Sequence, residues 1–127
     1  MKLNYKVAIA LVGGAVIGGT AIQGLHAQAK APAYVITLTD ITDQAAFNEF
    51  SPKVSATMQP FGGKYLIRGG KIVTLQGEAP QRFIVTAFDS MEKAQAWRDS
   101  AAWKALVPLR EKGTKVRGEY IVEGMPQ

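Results

Sequence analysis

Four short segments rich in β-branched residues constrain the fold of this chain more than any other feature of its sequence. Val, Ile, Thr and aromatic residues favour strands because their side chains pack well on a pleated surface. The four segments are Ala33 to Asp40, Lys64 to Arg68, Arg82 to Phe88 and Lys115 to Glu123. They predict a four-stranded sheet, with extended structure expected again from Lys71 to Leu75, after a turn or bulge at Gly69-Gly70.

Helix signals fill the two longer intervals between these strands. In the first interval, Thr42 is a candidate N-cap, Ser51-Pro52 can restart the helix and Gly62-Gly63 ends it. Phe47, Phe50, Val54 and Phe61 recur there at helical spacing. In the second interval, Ser90 caps a helix to about Arg98, and Ser100 caps another to about Lys112. The order β-α-β-β-α-β predicts an α+β domain with the ferredoxin-like plan.

Residues 1–29 differ in composition from the rest of the chain. Lys2 and Lys6 precede an apolar run from Val7 to about Ile22, and Ala27-Gln28-Ala29 places small residues at its exit. This pattern is typical of a secretory signal peptide. It predicts a signal helix over residues 1–29, a mature domain over residues 30–127 and a periplasmic or secreted location. The alternative is an uncleaved membrane anchor, since Val7 to Leu25 approaches the length of about 20 residues that spans a bilayer.

The predicted mature domain contains neither histidine nor cysteine. The only histidine, His26, lies in the predicted signal segment, and the chain has no cysteine. These absences exclude the usual zinc, copper and haem ligand sets and nucleophilic catalysis through Ser-His or Cys-His pairs. We therefore expect no metal and no cofactor, and acid–base chemistry is left to Asp, Glu, Lys, Tyr or water.

Basic residues outnumber acidic ones, 15 to 10, but they are scattered along the chain. A nucleic-acid site requires a basic stripe with interleaved aromatic residues, and none is present in the sequence. We expect no nucleic-acid partner, and contact with a membrane only through the N-terminal segment if it stays uncleaved.

Two motifs in order along the chain resemble a known family. Gly62 to Gly70 reads GGKYLIRGG, and Asp89 to Trp97 reads DSMEKAQAW. Together with Ser100, Trp103, Pro108-Leu109-Arg110 and Val122-Glu123-Gly124, they resemble the domain of unknown function 1330 family from about Ala33 to Gly124. Family members commonly have Pro-Glu-Tyr where this chain has Ala101-Ala102-Trp103. The resemblance implies a dimeric α+β barrel, in which the sheets of a homodimer pack face to face, and it implies no settled activity.

Alternation along the strands divides the sheet into an apolar face and a mixed face. We expect the apolar face to pack against the helices and the mixed face to point toward a dimer partner. The apolar face comprises Ile36, Leu38, Tyr65, Ile67, Val85, Ala87, Tyr120 and Val122. The mixed face comprises Val35, Thr37, Thr39, Leu66, Arg68, Ile84, Thr86, Phe88, Glu119 and Ile121.

The mixed face suggests a site for a small organic anion. Arg68 suits a carboxylate clamp because its guanidinium can bind both oxygens, and Thr37 and Thr86 can add hydrogen bonds. We expect Phe88, Trp97 and Trp103 to form apolar walls and Arg110 to lie near the mouth. In the alternative interpretation, Arg68 pairs internally with Glu119, the stem of Arg110 covers apolar surface, and the tryptophans belong to the core.

Two functions follow from these alternatives. The first is an exported domain that binds or converts a small organic acid without metal. The second is a non-catalytic exported dimer whose barrel interior is simply filled. A void beside Arg68 would favour the first function, and its absence would favour the second.

Overall fold

Strand β1, Ala33–Ile41, alternates buried and half-buried residues, as expected of a central strand with one face against the core. It pairs antiparallel with β3 (Arg82–Phe88) on one side and with β4 (Thr114–Glu123) on the other. At the sheet edge, β2 (Lys64–Arg68) pairs antiparallel with β3. The strand order is therefore β2-β3-β1-β4. The computed structural model describes residues 30–127, so the predicted signal segment lies outside the described residues.

Three α-helices connect these strands. Helix α1 spans Gln44–Met58 and continues into a 3-10 turn at Gln59–Phe61, whereas α2 (Met91–Asp99) and α3 (Ala101–Gly113) follow β3. The Ser90 and Ser100 side chains accept hydrogen bonds from the backbone N–H groups of Lys93 and Trp103, each at 3.2 Å. Both predicted serine caps are thus present. The order β-α-β-β-α-β with this antiparallel sheet is the ferredoxin-like fold, as predicted.

Helix α1 differs from its prediction at two positions. Its N-cap is Asp43 and not Thr42, because Oδ1 of Asp43 accepts the N–H of Ala46 at 3.2 Å. The helix also runs through Pro52 without restarting. Phe50 and Val54 are buried on either side of Pro52, and their packing holds the helix together across it.

Residues 69–81 form no strand, contrary to the expectation for Lys71 to Leu75. Gly69 and Gly70 have φ angles of +75° and +97°, a conformation that disfavours residues with a Cβ atom. These two glycines break the extended backbone at the end of β2. In the segment that follows, the side chains of Val73 and Leu75 are exposed.

The helices cover the mixed face of the sheet, so the prediction that they pack on the apolar face is wrong. Val35, Thr37, Thr86 and Phe88 are buried beneath the helices, while Tyr120 on the opposite face is 55% exposed. Alternation determines which side chains share a face, but it carries no information about which face the helices cover.

A β-bulge in β2 also changes the predicted parity. Tyr65 lies opposite Thr86, Arg68 lies opposite Ile84, and the register shifts between Tyr65 and Ile67. A bulge inserts one extra residue into a strand. It therefore brings Tyr65 and Arg68 to the same face, although simple alternation had assigned them to opposite faces.

The core lies between the helices and this mixed face, and its centre is Trp97. The Trp97 ring stacks on Phe88 at a centroid distance of 5.3 Å and meets Trp103 at 4.9 Å. Its indole N–H donates to Oγ1 of Thr57 at 2.9 Å, so this buried polar group is satisfied. Among residues 30–127, no helix is long and apolar enough to cross a membrane.

Candidate functional site

A cavity of about 50 Å³ lies between the helices and the mixed face of the sheet. This volume has room for about four water molecules. Its apolar walls include Val35, Phe47, Phe50, Val54, Ile84, Trp97 and Trp103. Its polar lining includes Thr37, Thr39, Ser51, Tyr65, Arg68, Arg82, Thr86, Arg98, Arg110 and Thr114. None of these lining residues is acidic.

The carboxylate of Glu119, beside the cavity, binds two of the arginines that line the cavity. Oε2 of Glu119 accepts hydrogen bonds from Nη2 of Arg98 at 2.6 Å and from Nη2 of Arg110 at 2.5 Å. The Thr37 hydroxyl donates to the same oxygen at 2.6 Å. Burial alone would raise the pKa of Glu119, but the two guanidinium groups outweigh it and lower that pKa to about 2. Glu119 therefore stays ionised at neutral pH and fixes both arginines.

The same two arginines pack against the aromatic wall. The guanidinium carbon of Arg98 lies 4.5 Å from the Trp97 ring centroid and 4.1 Å from that of Trp103. The guanidinium carbon of Arg110 lies 5.2 Å from the Trp103 centroid. These distances are within the range of cation–π attraction. The Trp97 and Trp103 rings therefore belong both to the core and to the cavity wall, which unites the two alternatives considered for them.

Arg68 does not pair with Glu119. Its Nη2 donates to the backbone oxygen of Ser51 at 3.1 Å and to Oγ of Ser51 at 3.2 Å, and its guanidinium lies 4.5 Å from the Tyr65 ring centroid. No acidic residue within the described part of the chain forms an ion pair with Arg68. The Arg68 side chain is exposed, so its positive charge stands at the rim of the cavity without a counter-charge.

Arg82 is a second arginine without an acidic partner among residues 30–127. Its guanidinium carbon lies 5.0 Å from the Phe47 ring centroid. A Cβ atom at Gly69 would come within 2.6 Å of Nη1 of Arg82, so glycine leaves the space that this guanidinium occupies. Tyr65 is close to both charges: burial raises the pKa of its hydroxyl, and Arg68 and Arg82 oppose that rise.

Three buried polar atoms of the described residues have no hydrogen-bond partner, and all three belong to residues that line this cavity. They are Nε of Arg82, Oγ1 of Thr86 and Nε of Arg98. Each is able to donate a hydrogen bond. Buried polar groups are nearly always paired in proteins, but no acceptor of the described residues is within hydrogen-bond distance of these three donors. A bound acceptor would satisfy them.

The structure brings together six of the seven predicted site residues: Thr37, Arg68, Thr86, Trp97, Trp103 and Arg110 all line the cavity. Phe88 does not line it, but its ring stacks on that of Trp97, which does. The predicted placement is also corrected. The cavity lies beneath the helices and not on the dimer side, and Arg110 is the inner residue, with a side chain 13% exposed.

The sequence interpretation missed Tyr65, Arg82 and Arg98. Arg82 has the same strand parity as Ile84 and Thr86, and this signal could have identified it. Tyr65 was assigned to the other face because the bulge in β2 was not foreseen. Arg98 comes at the end of a helix, where a basic residue is also explained by the helix dipole, so nothing in the sequence distinguished it.

Residues 32–125 match the family described as "Domain of unknown function (DUF1330)", and the chain belongs to that family. No curated protein matches the sequence. Within residues 30–127, no group of three or more His, Asp and Glu residues is arranged to hold a metal ion.

Solved structures show the same fold at low sequence identity. A protein of unknown function from Rhodopseudomonas palustris has a TM-score of 0.61 and 13% identity, over 87% of this chain and 94% of that one. HapK from Hahella chejuensis has a TM-score of 0.51 and 17% identity, over 75% and 94%. A Nitrosomonas europaea protein, provisionally named an antibiotic biosynthesis monooxygenase, has a TM-score of 0.50 and 16% identity, over 77% and 91%.

Proposed function

We propose that this domain binds a small organic anion in the cavity between its helices and its sheet. The observation that carries the proposal is the set of three unpartnered donors, Arg82 Nε, Thr86 Oγ1 and Arg98 Nε, which all belong to residues around one void. A carboxylate offers two acceptor oxygens and a negative charge, which is what this set lacks.

The charge balance of the site supports an anion over a neutral ligand. Four guanidinium groups, those of Arg68, Arg82, Arg98 and Arg110, belong to the lining. Within residues 30–127, only one carboxylate, that of Glu119, is hydrogen-bonded to any of them. The surplus of positive charge lies partly in a protein interior, where charge interactions are stronger than in water. The apolar walls would accommodate the carbon part of an organic acid.

The test is a calorimetric titration of the purified protein with acetate, propionate and pyruvate at low salt, each compared with its neutral amide. We expect the acids to bind in the cavity and the amides not to bind. Native mass spectrometry of protein isolated from its own host would identify the ligand that it retains. Failure of every acid to bind at millimolar concentration would contradict the proposal.

We further propose that the domain forms a homodimer through the face of the sheet that the helices leave uncovered. Ile67, Tyr120 and Val122 on this face are 46%, 55% and 45% exposed, and they surround half-buried Ile36 and Val85. An apolar face of this kind is typical of an association surface, and two-fold dimers are the commonest assembly. Light scattering at micromolar concentration should give the dimer mass, and a folded monomer would contradict the proposal.

Export is the remaining part of the proposed function. Its support is the sequence of residues 1–29, with two lysines, an apolar run and Ala27-Gln28-Ala29 at the exit. We propose cleavage after Ala29 and action of the mature domain in the periplasm or outside the cell. N-terminal sequencing of the exported form should begin at Lys30. Recovery of an intact chain embedded in the membrane would favour an anchor instead.

A further inference from the structure

We propose that the segment from Lys71 to Leu75 adds as a strand to the sheet of a second copy of this chain. This inference rests on the homodimer proposed above and specifies one of its contacts. The sequence of the segment favours a strand, because Ile72, Val73 and Thr74 are β-branched. In its own chain, however, the segment belongs to no strand.

The backbone of this segment has no partner among residues 30–127. No backbone hydrogen bond joins residues 71–75 to another described residue. Gly70 and Gly77 bound the segment with turns, at φ angles of +97° and +83°, and every residue between them has a negative φ, as a strand requires. The segment therefore presents N–H and C=O groups that can pair with the edge of another sheet.

The segment also stands away from the body of the domain. A Cβ atom added at Gly70 or Gly77 would meet no atom within 4 Å beyond the adjacent residues. Val73 and Leu75 are 72% and 94% exposed. In a strand these two residues would share one face, which would be apolar. Native proteins seldom leave an apolar, unpaired strand in water, because it pairs readily with another chain.

The end of the loop that follows the segment is attached beside the uncovered face of the sheet. Asp40 has the same strand parity as Ile36, which lies on that face. Oδ1 of Asp40 accepts the backbone N–H of Gln81 at 2.8 Å. Nη1 of Arg117 lies 3.6 Å from Oδ2 of Asp40 and donates to the backbone oxygen of Ala79 at 3.1 Å. The loop thus borders the face proposed for the homodimer, which makes a second copy the partner within reach.

Of the two edge strands, β2 and β4, β4 offers the edge that fits this segment. Strand β2 has five residues and is interrupted by its bulge, and a bulge disrupts pairing. In β4, residues 118–123 pair with β1 without interruption. Tyr120 and Val122 in this run belong to the uncovered face, so the added strand would extend the proposed dimer surface. In a two-fold dimer each copy donates one segment and receives the other.

Hydrogen–deuterium exchange of the purified protein tests the pairing directly. A peptide covering residues 71–75 is followed at concentrations above and below the dissociation constant of the dimer, which light scattering determines. We expect about half of its amides to exchange about tenfold more slowly, or slower still, in the dimer, because alternate N–H groups of a strand bond to its neighbour.

Two neighbouring proline variants test the direction of the hydrogen bonds. Successive N–H groups point to opposite sides of a strand, so only one of Val73 and Thr74 can donate to β4. Proline is tolerated where the N–H points away from the sheet. One of Val73→Pro and Thr74→Pro should therefore raise the dimer dissociation constant about tenfold. The other is its matched control and should change it little.

Cross-linking identifies the strand that receives the segment. The chain has no cysteine, so each introduced cysteine is unique. Thr74→Cys chains mixed with Tyr120→Cys chains should form cross-linked heterodimers with a short bismaleimide. Leu66→Cys, on β2, is the matched control and should not cross-link to Thr74→Cys.

The outcomes separate this inference from the homodimer. A dimer in which the 71–75 amides exchange as fast as in the monomer would overturn the inference and leave the homodimer standing. The same conclusion would follow if both proline variants kept the original dissociation constant, or if Thr74→Cys cross-linked to Leu66→Cys and not to Tyr120→Cys. A monomer at every concentration would overturn the homodimer itself.

Discussion

Nη2 of Arg110 donates to Oε2 of Glu119 across 2.5 Å, and this contact joins helix α3 to strand β4. Arg98 of α2 donates to the same oxygen. One carboxylate thus ties both helices of the second helical interval to the sheet. Because Glu119 is held in turn by the Thr37 hydroxyl on β1, the cluster positions one whole side of the cavity.

The first prediction concerns acid stability. The pKa of Glu119 falls from an ordinary value of 4.5 to about 2 in the folded protein. The stabilisation is therefore complete above the unfolded pKa and is lost as pH falls from about 5 toward 2. The loss attributable to Glu119 is about 3 kcal/mol. Thermal unfolding measured across this range should show the decline.

The Glu119→Gln variant tests the source of this decline. At pH 7 it should lose about 3 kcal/mol, because two largely buried guanidinium groups lose their counter-charge, and its stability should vary less with pH in the acid range. Glu49→Gln, at an exposed position of α1, is the control and should behave like the unmodified protein. An unchanged acid profile for Glu119→Gln would refute the assignment.

The second prediction concerns Arg68. Arg68→Ala should weaken carboxylate binding about tenfold to a hundredfold, the effect of removing one charge-assisted contact. It should hardly change the melting temperature, because Arg68 is exposed and, among the described residues, hydrogen-bonds to Ser51 and packs on the Tyr65 ring without an ion pair. Arg68→Lys should restore part of the affinity, since it keeps the charge but loses the bidentate geometry. Unchanged binding by Arg68→Ala would remove Arg68 from the site.

The third prediction uses two threonines that line the same cavity. Oγ1 of Thr86 has no partner, whereas Oγ1 of Thr39 donates to the backbone oxygen of Lys115 at 3.1 Å. Thr86→Val should weaken ligand binding and leave unfolding free energy unchanged or higher, because it removes an unsatisfied buried group. Thr39→Val should retain binding and lose about 1 kcal/mol of stability. Denaturant unfolding would measure the stability of each variant, and calorimetry would measure its ligand affinity. The opposite result, in which Thr39→Val loses binding and Thr86→Val loses stability, would refute the site.

The fourth prediction concerns Phe88. Phe88→Leu should lower stability by about 1–2 kcal/mol through lost packing against Trp97, yet it should leave ligand affinity unchanged, because Phe88 does not line the cavity. Trp103→Leu, which alters the cavity wall, should reduce both the stability and the ligand affinity. A binding defect in Phe88→Leu at a temperature where it is fully folded would show that Phe88 contributes to the site after all.

Much of the fold was predictable because its signals are local. The β-branched segments, the Ser90 and Ser100 caps and the Gly62-Gly63 stop depend on neighbouring residues and backbone preferences. The order of these elements then restricted the topology to a few arrangements, of which the ferredoxin-like plan is the observed one. The site residues were found in part for the same reason, since strand parity alone places Thr37, Thr86 and Glu119 on one face.

The sequence by itself determined the order of elements, which residues of β1, β3 and β4 share a face, and a candidate set of arginine, threonine and tryptophan residues. Only the tertiary structure decided that the helices cover the mixed face, that Glu119 binds Arg98 and Arg110 and not Arg68, and that Arg82 joins the site. The physical reason is the distance along the chain over which each kind of interaction acts. Backbone preferences act between neighbours, whereas the partner of a buried charge is decided by packing between elements far apart in the chain. The face on which Tyr65 lies likewise depends on one bulge in β2.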